Sequence, residues 1–315
     1  CDEIVMTMNV LVGHERTKTY YGEYQLDGIS FSLGKGSALA VLGGKCAGKT
    51  PLLETITGRK RADSGAVLYK GNDIWTLEQE NWKEIAFVPD DIIYYERKTV
   101  KRLLERTMPW HGTGTMEDAE EVCEMFHIDM DAELLALSDR DRKCVAIING
   151  MVVRPQLLIL DEMYHGLDET TYLELLDLID AMRRRGMTVI YACEEYEQIS
   201  GYCDEYLLLQ EGDCVASGHV KDVKQPGRIV SVMTEDWLRR GGKEATKLFL
   251  QFIAVCRKSE KIDDIRVLKS RVCFLYRGDM LELSRLLYAF HCKDYLVEEL
   301  SWEEAVLHEY ERWSE

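Results

Sequence analysis

The feature that most constrains the fold is a glycine-rich stretch, Gly43-Gly44-Lys45-Cys46-Ala47-Gly48-Lys49-Thr50, which follows the apolar run Leu39-Ala40-Val41-Leu42. The apolar run predicts a short buried strand, and Gly43 starts a tight turn. The spacing of Gly43 and Gly48-Lys49-Thr50 is the phosphate-binding loop pattern, in which backbone N–H groups surround an anion. A helix predicted from about Thr50 to Gly58 adds the positive end of its dipole. The stretch therefore predicts a strand, a loop and a helix that together bind a nucleotide.

Two side chains carry the chemistry of this loop. Lys49 supplies a positive charge between the β- and γ-phosphates, and the hydroxyl of Thr50 can hold Mg²⁺. The alternative is a glycine-rich turn that binds nothing, since such patterns also arise by chance. Binding is favoured because the apolar run Leu157-Leu158-Ile159-Leu160 ends in two carboxylates, Asp161 and Glu162. Asp161 can hold Mg²⁺, often through water, and Glu162 can polarise an attacking water.

Length, charge and cysteine pattern limit the class of protein. The 315 residues suffice for two domains, and a net charge of −17 argues against nucleic acid as a main partner. The ten cysteines are scattered without a CxxC pair, which is typical of reduced thiols and not of a disulfide framework or a zinc site.

The best membrane candidate, Leu248 to Cys256, is shorter than the roughly 20 residues that a membrane-spanning helix requires. The acidic opening Cys1-Asp2-Glu3 does not resemble a secretory leader. We therefore expect a cytosolic protein that meets a membrane only through a partner.

Short apolar strands alternate with helices over residues 1–224, which predicts an α/β domain with a mostly parallel core sheet. A helical subdomain is expected over about residues 91–150, and Ser138 with Asp141 three residues later predicts a helix start. A further helix is predicted from about Glu169 to Arg185. The predicted strands, besides those named above, are Val10 to Val12, Gln25 to Leu33, Ala66 to Tyr69, Glu84 to Val88 and Thr188 to Ala192.

The character of the chain changes near Gln225-Pro226-Gly227. Residues 227–315 predict strand, helix, strand, strand, helix and strand, followed by a terminal helix. This βαββαβ order is typical of a small α+β, ferredoxin-like domain. It has no glycine-rich loop, and His291 and Cys292 are interpreted as packing or surface residues. We interpret this part as a regulatory or docking domain.

Over about residues 9 to 224, ordered landmarks resemble the nucleotide-binding subunit of the ATP-binding cassette (ABC) family. Gly43 to Thr50 resembles its Walker A motif, and Leu157 to Glu162 resembles its Walker B motif. Tyr21, or its neighbour Tyr20, matches the aromatic residue that stacks on adenine, and Gly166-Leu167-Asp168 is similar to the D-loop, which crosses between subunits. The resemblance implies a P-loop cassette that binds ATP and Mg²⁺, works as a dimer and drives a membrane-embedded permease. The last 90 residues, including Ser301 to Val306, are similar to the appended domain of exporter-type members.

The departures from the family pattern are also informative. Asp90 stands where the family has its Q-loop glutamine, and Glu194 stands at the switch histidine. The signature sequence Leu-Ser-Gly-Gly-Gln is replaced by Leu137-Ser138-Asp139-Arg140-Asp141. Within Walker A, Cys46 replaces a glycine, and Pro51 lacks a backbone N–H that members commonly aim at the α-phosphate.

If the family geometry holds, four carboxylates face the γ-phosphate and its metal: Asp90, Asp161, Glu162 and Glu194. Two like charges about 4 Å apart cost roughly 4 kcal/mol at an effective dielectric constant near 20. We therefore expect one of these groups to take up a proton or the cluster to recruit an additional cation. The signature also loses the glycines that let its backbone approach a partner's nucleotide.

The candidate residues form three sets. The candidate catalytic residues are Glu162, Glu194 and Asp90. The candidate metal ligands are Thr50, Asp161 and Asp90. The candidate nucleotide-binding residues are Tyr21, Gly43, Gly44, Lys45, Cys46, Ala47, Gly48, Lys49, Thr50, Pro51 and Ser138.

Three functional hypotheses follow from the resemblance and its departures. The leading one is an ATPase subunit that powers a separate membrane exporter as a homodimer or heterodimer, with slow hydrolysis. The alternative is a regulatory subunit that senses ATP and hydrolyses little or none. A non-transport ABC protein acting on ribosomes or DNA is disfavoured by the single cassette and the acidic charge.

Overall fold

The computed structural model describes Leu26 and residues 29–62, 65–95, 97–111, 114–223, 226–234, 242–268 and 270–307. The chain divides into two compact units, Cys1–Asp222 and Val223–Glu315. Each unit has a hydrophobic core of its own.

Eight strands lie in the described part of the first unit. They are β1 (Ala38–Leu42), β2 (Leu68–Tyr69), β3 (Asn72–Asp73), β4 (Ile85–Val88), β5 (Leu157–Asp161), β6 (Thr188–Cys193), β7 (Glu205–Gln210) and β8 (Asp213–His219). Six of them form the main sheet in the order β4-β5-β6-β1-β7-β8, while β2 and β3 pair separately. All neighbours from β4 to β7 are parallel, and only β8 runs antiparallel. The predicted parallel core sheet is therefore confirmed.

The sequence explains why the central strands are buried on both faces. Every residue of β1, β5 and β6 is buried, including the apolar runs from which the strands were predicted. A strand covered by helices on both faces needs continuous apolar side chains and not an alternating pattern.

The helices of the first unit follow the predicted alternation with strands. They are α1 (Lys49–Ile56), α2 (Gln79–Trp82), α3 (Val100–His111), α4 (Met116–Met125), α5 (Asp139–Val152) and α6 (Glu169–Arg183). Side chains cap four of their N-termini: Thr99 caps α3, Thr115 caps α4, Ser138 caps α5 and Asp168 caps α6. The helix start predicted from Ser138 and Asp141 is confirmed, because the Ser138 hydroxyl accepts from the Asp141 N–H at 3.1 Å.

Two predictions of secondary structure need correction. Of the predicted strand Gln25 to Leu33, the described residues form no strand. Leu26, Ile29 and Leu33 are buried in the core of the first unit, so their apolar character reflects packing and not strand pairing. The strand predicted from Ala66 begins only at Leu68. The strand predicted at Val10 to Val12 lies outside the described residues.

The second unit contains β9 (Arg228–Met233), α7 (Gly242–Lys258), β10 (Ile262–Val267), β11 (Arg271–Tyr276), α8 (Met280–Ala289) and β12 (Tyr295–Glu299). Its four-stranded sheet has the order β10-β11-β9-β12, and every neighbouring pair is antiparallel. The βαββαβ chain order therefore has the split arrangement of a ferredoxin-like sandwich. Cys292 is buried in the core of the second unit, with Phe252 and Phe274.

In the part of the chain that the structure describes, no helix has the length and apolar character that crossing a membrane requires.

We predict that the two cores respond separately to mutation. Phe252 and Leu52 are both fully buried, one in each core. Phe252→Ala is expected to destabilise the second unit by about 3–5 kcal/mol, and Leu52→Ala the first by about 2–5 kcal/mol, through cavities in their own cores. Hydrogen exchange measured by mass spectrometry checks this unit by unit. Equal acceleration of exchange in both units by either substitution would contradict the prediction.

Candidate nucleotide-binding site

The phosphate loop connects β1 to α1 and depends on two glycines. Gly43 has a φ of 153°, and a Cβ atom there would lie 2.5 Å from the carbonyl oxygen of Leu209 in β7. Gly48 has a φ of 105° and caps α1 without a side-chain hydrogen bond. The first position therefore requires glycine for a close approach, and the second for left-handed backbone. Gly212 supports the loop, because its N–H donates to the Ala47 carbonyl at 3.0 Å.

The N-terminus of α1 is open to an anion. The first N–H groups of a helix have no intrahelical partner, and in α1 they follow the exposed loop residues Gly44, Lys45 and Cys46. Pro51 lies in the first turn, where it removes one donor without breaking the helix. Cys46 has a φ of 64°, which explains why a glycine suits this position better. The loop thus retains the shape of an anion cradle despite both substitutions.

The ammonium group of Lys49 is almost completely buried, with 6% of the side chain exposed. It donates to the carbonyl oxygens of Gly43 and Gly44, the latter at 3.1 Å, and lies 3.0 Å from Oε1 of Glu162. A buried charge is stable only when it is paired and hydrogen-bonded. The pair between Lys49 and Glu162 therefore joins the loop after β1 to the end of β5.

Asp161, the last residue of β5, lies beside the start of α1. The Thr50 hydroxyl donates to its Oδ2 at 2.9 Å. Burial raises the pKa of Asp161 to about 6, and the bond from Thr50 opposes this shift. Burial also raises the pKa of Glu162, against the effect of its bond from Lys49. Both carboxylates are therefore held where an additional cation would favour their ionised forms.

A divalent cation fits this donor set. The buried oxygens Asp161 Oδ1 and Glu162 Oε2 have no hydrogen-bond partner in the described structure. Mg²⁺ is commonly held by one or two protein groups together with phosphates and water. The described ranges contain no group of three or more His, Cys, Asp or Glu side chains that could hold a metal ion. Thr50 and Asp161 are the residues that would hold Mg²⁺.

Asp90 follows β4 and contacts two side chains that the sequence analysis did not single out. The Lys143 ammonium of α5 lies 3.2 Å from the carbonyl oxygen of Asp90 and 3.3 Å from its Oδ1. Lys143 also donates to the Asp161 carbonyl at 3.4 Å. Nδ1 of His165 lies 2.9 Å from Oδ1 of Asp90. Since the Asp90 carboxylate accepts from both residues, its role as a Mg²⁺ ligand stays a prediction.

Lys143 is a buried cation that contacts Asp90 and the backbone of Asp161; whether the carboxylate cluster takes up a proton or a further cation stays a prediction. The side chain of Lys143 is 4% exposed. Burial lowers its pKa, while the charges of Asp90, Asp161 and Glu162 act in the opposite direction. A sequence signal existed, because Lys143 and Ile147 are four residues apart on a helix and so share its buried face.

Glu194 follows β6 at the same edge of the sheet. Burial is the largest cause of the raised pKa of Glu162, and Lys49 opposes it. The negative charge of Glu194 also raises this pKa. The strands β4, β5 and β6 are parallel neighbours, so their carboxyl ends meet at one edge. This explains why Asp90, Asp161, Glu162 and Glu194 come together although they are distant in sequence.

The residues at the signature position make their contacts within the same chain. The Ser138 hydroxyl donates to Asp141 Oδ2 at 2.8 Å. Arg140 contacts Asp141 Oδ1 at 2.7 Å, Asp168 Oδ2 at 3.3 Å and the Thr171 hydroxyl at 3.1 Å. Hydrogen bonds from Thr171 lower the pKa of Asp168 to about 2. The guanidinium group of Arg140 is therefore already bound to the residues that start α6.

The predicted adenine-stacking residue Tyr21 lies outside the described residues.

Comparison with known proteins agrees with this geometry. Residues 26–165 match the family model described as ABC transporter. The methionine import ATP-binding protein of Rhizobium johnstonii is 29% identical over 208 residues, which cover 63% of this chain and 58% of that protein. The chain thus spans less than two thirds of that relative's length. The lipopolysaccharide export system ATP-binding protein of Haemophilus influenzae is 24% identical over 233 residues, which cover 71% of this chain and 97% of that protein.

A solved structure shows the same fold. The structure titled as the ATP-binding subunit of an ABC transporter superposes with a TM-score of 0.62. It is 19% identical in sequence, and the superposition covers 78% of this chain and 98% of that chain. The predicted P-loop cassette fold is confirmed by this similarity.

We predict that the site depends on Lys143 for its stability. Lys143→Met leaves the carboxylate of Asp90 and the carbonyl of Asp161 without their shared donor, and is expected to cost about 2–3 kcal/mol of unfolding free energy. This is below the cost for a fully buried pair, because the Asp90 side chain is 36% exposed. Urea denaturation measures the difference, with Lys101→Met on the exposed surface of α3 as the matched control. Equal stability of the two variants would contradict the prediction.

Proposed function

We propose that this chain, whose first unit belongs to the ABC transporter family, is the ATP-binding subunit that drives a separate membrane permease. The observation that carries the proposal is the geometry around Lys49. The ammonium group bridges the phosphate loop and Glu162, next to the bond between Thr50 and Asp161. This arrangement brings together an anion cradle, a cation for the phosphates and the donor set for Mg²⁺ at one edge of the sheet.

Each residue has a defined task in this proposal. The loop and the N-terminus of α1 hold the phosphates, and Lys49 exchanges part of its contact with Glu162 for contact with the γ-phosphate. Thr50 and Asp161 hold Mg²⁺, which neutralises phosphate charge when bound. Glu162 orients and polarises water, because its carboxylate lies beside Lys49. Glu194 and Asp90 border this space at the ends of the neighbouring strands.

Hydrolysis is proposed to be slow in the chain alone. At the position of the switch histidine, Glu194 offers a carboxylate and no donor to the γ-phosphate. Arg140 is bound to Asp168 and Thr171 of its own chain, so it does not replace the glycine-lined donors of the family signature. Donors aimed at the charge that develops during reaction are the main source of catalysis in such sites. An orthodox partner subunit would supply a full signature to one site, which favours a heterodimer over a homodimer.

A permease partner and a membrane-peripheral, cytoplasmic position are proposed on two grounds. One relative is named as the ATP-binding protein of an import system, and another as that of an export system. The loop beyond Asp90 also exposes apolar side chains, since Ile93 is 64% and Tyr95 83% exposed. Exposed apolar groups of this kind commonly mark a protein contact. Export is the direction we propose, because the export relative is matched over 97% of its length and the tail resembles that of exporter-type members.

The second candidate function is a regulatory subunit that senses ATP. Two features favour this candidate: the contacts of Arg140 within its own chain, and the presence of Glu194 at the switch position. Both are expected to reduce the rate of hydrolysis more than the affinity for ATP. The second unit, with its ferredoxin-like arrangement, would then transmit the nucleotide state to a partner. Turnover measured with and without the permease separates the two candidates.

We predict that MgATP protects Cys46 from alkylation. Of the cysteines in the described residues, Cys46 is the exposed one, and its place in the phosphate loop puts it against bound phosphates. If only the free protein reacts, a nucleotide concentration of about 100 times Kd slows labelling by N-ethylmaleimide about 100-fold. Peptide mass spectrometry identifies the labelled site.

Two variants serve as controls for this measurement. Lys49→Ala is expected to lose protection at the same ATP concentration, because removing one partner of a buried charge pair costs about 2–5 kcal/mol. Cys46→Gly removes the thiol at a left-handed position that glycine adopts readily, and is expected to bind ATP at least as well. Labelling of Cys46 at the same rate with and without MgATP would overturn the binding proposal.

We also predict slow phosphate release by the purified chain. Loss of one preorganised donor costs about 100- to 1,000-fold in turnover, so the isolated chain should be at least about 100-fold slower than a dimer with an orthodox subunit. Glu162→Gln is expected to abolish the activity of that mixed dimer. Rapid hydrolysis by the isolated chain, lost in Glu162→Gln, would show that Asp90 and Glu194 act in place of the missing groups.

A further inference from the structure

A cavity of the first unit lies at the edge of the sheet opposite the phosphate loop. Three of its lining residues stand just before parallel strands: Lys35 precedes β1, Gln156 precedes β5 and Met187 precedes β6. These strands are neighbours in the sheet, so the residues before them meet at its amino edge, whereas Asp161 ends β5 at the carboxyl edge. At the usual rise of a strand, β5 separates Gln156 from Asp161 by roughly 16 Å. The cavity is therefore separate from the candidate nucleotide site.

The walls of this cavity are largely apolar and rich in methionine. Its volume is about 630 Å³, which is in the range of small-molecule sites. Four of the twelve methionines of the chain line it: Met125, Met151, Met182 and Met187. Met151 and Met187 are buried while Met125 is 51% exposed, so the apolar lining runs from the interior to the surface. Methionine side chains are flexible and polarisable, and they suit surfaces that accept apolar groups of varied shape.

Two cations of the lining have no acidic partner. Lys35 and Arg185 form no ion pair in the part of the chain that the structure describes. A Cβ atom at Gly186 would lie 3.3 Å from Cε and 4.0 Å from Nζ of Lys35, so the Lys35 side chain lies over the residue that follows Arg185. The two unpaired cations thus belong to one part of the lining.

The remaining charges of the lining do not neutralise these cations. Nη2 of Arg154 lies 2.8 Å and 2.9 Å from the two carboxylate oxygens of Asp118, so these two residues balance each other. Glu121 of α4 is then the one acid in the lining that stands against Lys35 and Arg185. In a chain with a net charge of −17, this local excess of positive charge favours an anion.

We propose that this cavity binds a small amphipathic organic anion, with its apolar body against the methionines and its acidic group at Lys35 and Arg185. The shared chemistry is an aliphatic or aromatic body that carries one carboxylate or sulfonate. Burial of the apolar body supplies most of the affinity, and the cations supply the preference for a charged end. The inference does not require nucleotide binding, because the two sites lie at opposite edges of the sheet.

Competition binding to the full chain tests this inference. Fluorescence titration with 8-anilinonaphthalene-1-sulfonate measures the site, and decanoate and 1-decanol compete as a charged and an uncharged chain of equal length. Lys35→Gln and Arg185→Gln each remove one cation, and Lys101→Gln on the exposed surface of α3 is their control. Val122→Trp fills the cavity from α4, and Leu173→Trp, at a position of α6 that is 45% exposed, is its control.

The expected result is one saturable probe site per chain, from which decanoate displaces the probe. Because exposed ion pairs are weak, Lys35→Gln and Arg185→Gln are each expected to weaken decanoate about two- to fivefold and to leave 1-decanol unchanged. Val122→Trp is expected to abolish binding of both competitors, and the two controls to match the unmodified chain. MgATP is expected not to displace the probe. Melting temperatures of all variants confirm that they are folded.

Four outcomes would overturn the inference. If the probe does not bind saturably, the cavity is not a small-molecule site. If both glutamine substitutions leave decanoate binding unchanged, the two cations do not hold an anion. If a folded Val122→Trp variant binds as before, or if MgATP displaces the probe, the probe lies elsewhere. The proposed function stands in each of these cases, because none of them bears on the phosphate loop.

Discussion

The arrangement of the candidate site depends on a buried cation, the ammonium group of Lys49. Its partners, the loop carbonyls and the Glu162 carboxylate, come from the ends of β1 and β5. In the sheet β6 lies between these two strands, so the Lys49 side chain spans the end of β6 to reach Glu162. An unpaired ammonium in this position would be strongly unfavourable. The pair therefore requires the parallel order of the sheet, and that order in turn brings Glu194 to the same edge.

Charge balance explains how the site tolerates its unusual residues. Four carboxylates, those of Asp90, Asp161, Glu162 and Glu194, lie at the edge of the sheet where phosphates are proposed to bind. Lys49 pairs with one of them, and Lys143 contacts a second while reaching the backbone of a third. Lys143 comes from α5, the helix that carries the signature position at its start. The charge of Asp90 is thus offset by a residue of another element.

The sequence predicts those parts of this structure that depend on local pattern. The strands β1, β5 and β6 follow from uninterrupted apolar runs, and the start of α5 follows from the spacing of Ser138 and Asp141. The segment before β1 was misassigned because Leu26, Ile29 and Leu33 are buried by packing alone, which leaves the same apolar signature as a strand. Lys143 was missed because a lysine is ordinarily assigned to an exposed face. Its spacing from Ile147 on α5 indicates the buried face, but its pairing with Asp90, a residue distant in sequence, is not contained in any local pattern.

The contacts of Arg140 have a consequence for what this chain offers a partner subunit. A phosphate of the partner's nucleotide would compete with Asp168, Asp141 and Thr171 for the guanidinium group. Only the difference between the new and the existing hydrogen bonds would stabilise such an interface, because the existing bonds must be broken first. A nucleotide bound at this chain's own loop, as proposed, would face no such competition beyond the exchange at Lys49. Under the proposed function the two halves of the ATP chemistry would therefore be unequal, because the phosphate loop keeps its shape for a nucleotide of its own, whereas Arg140 is already bound within its own chain.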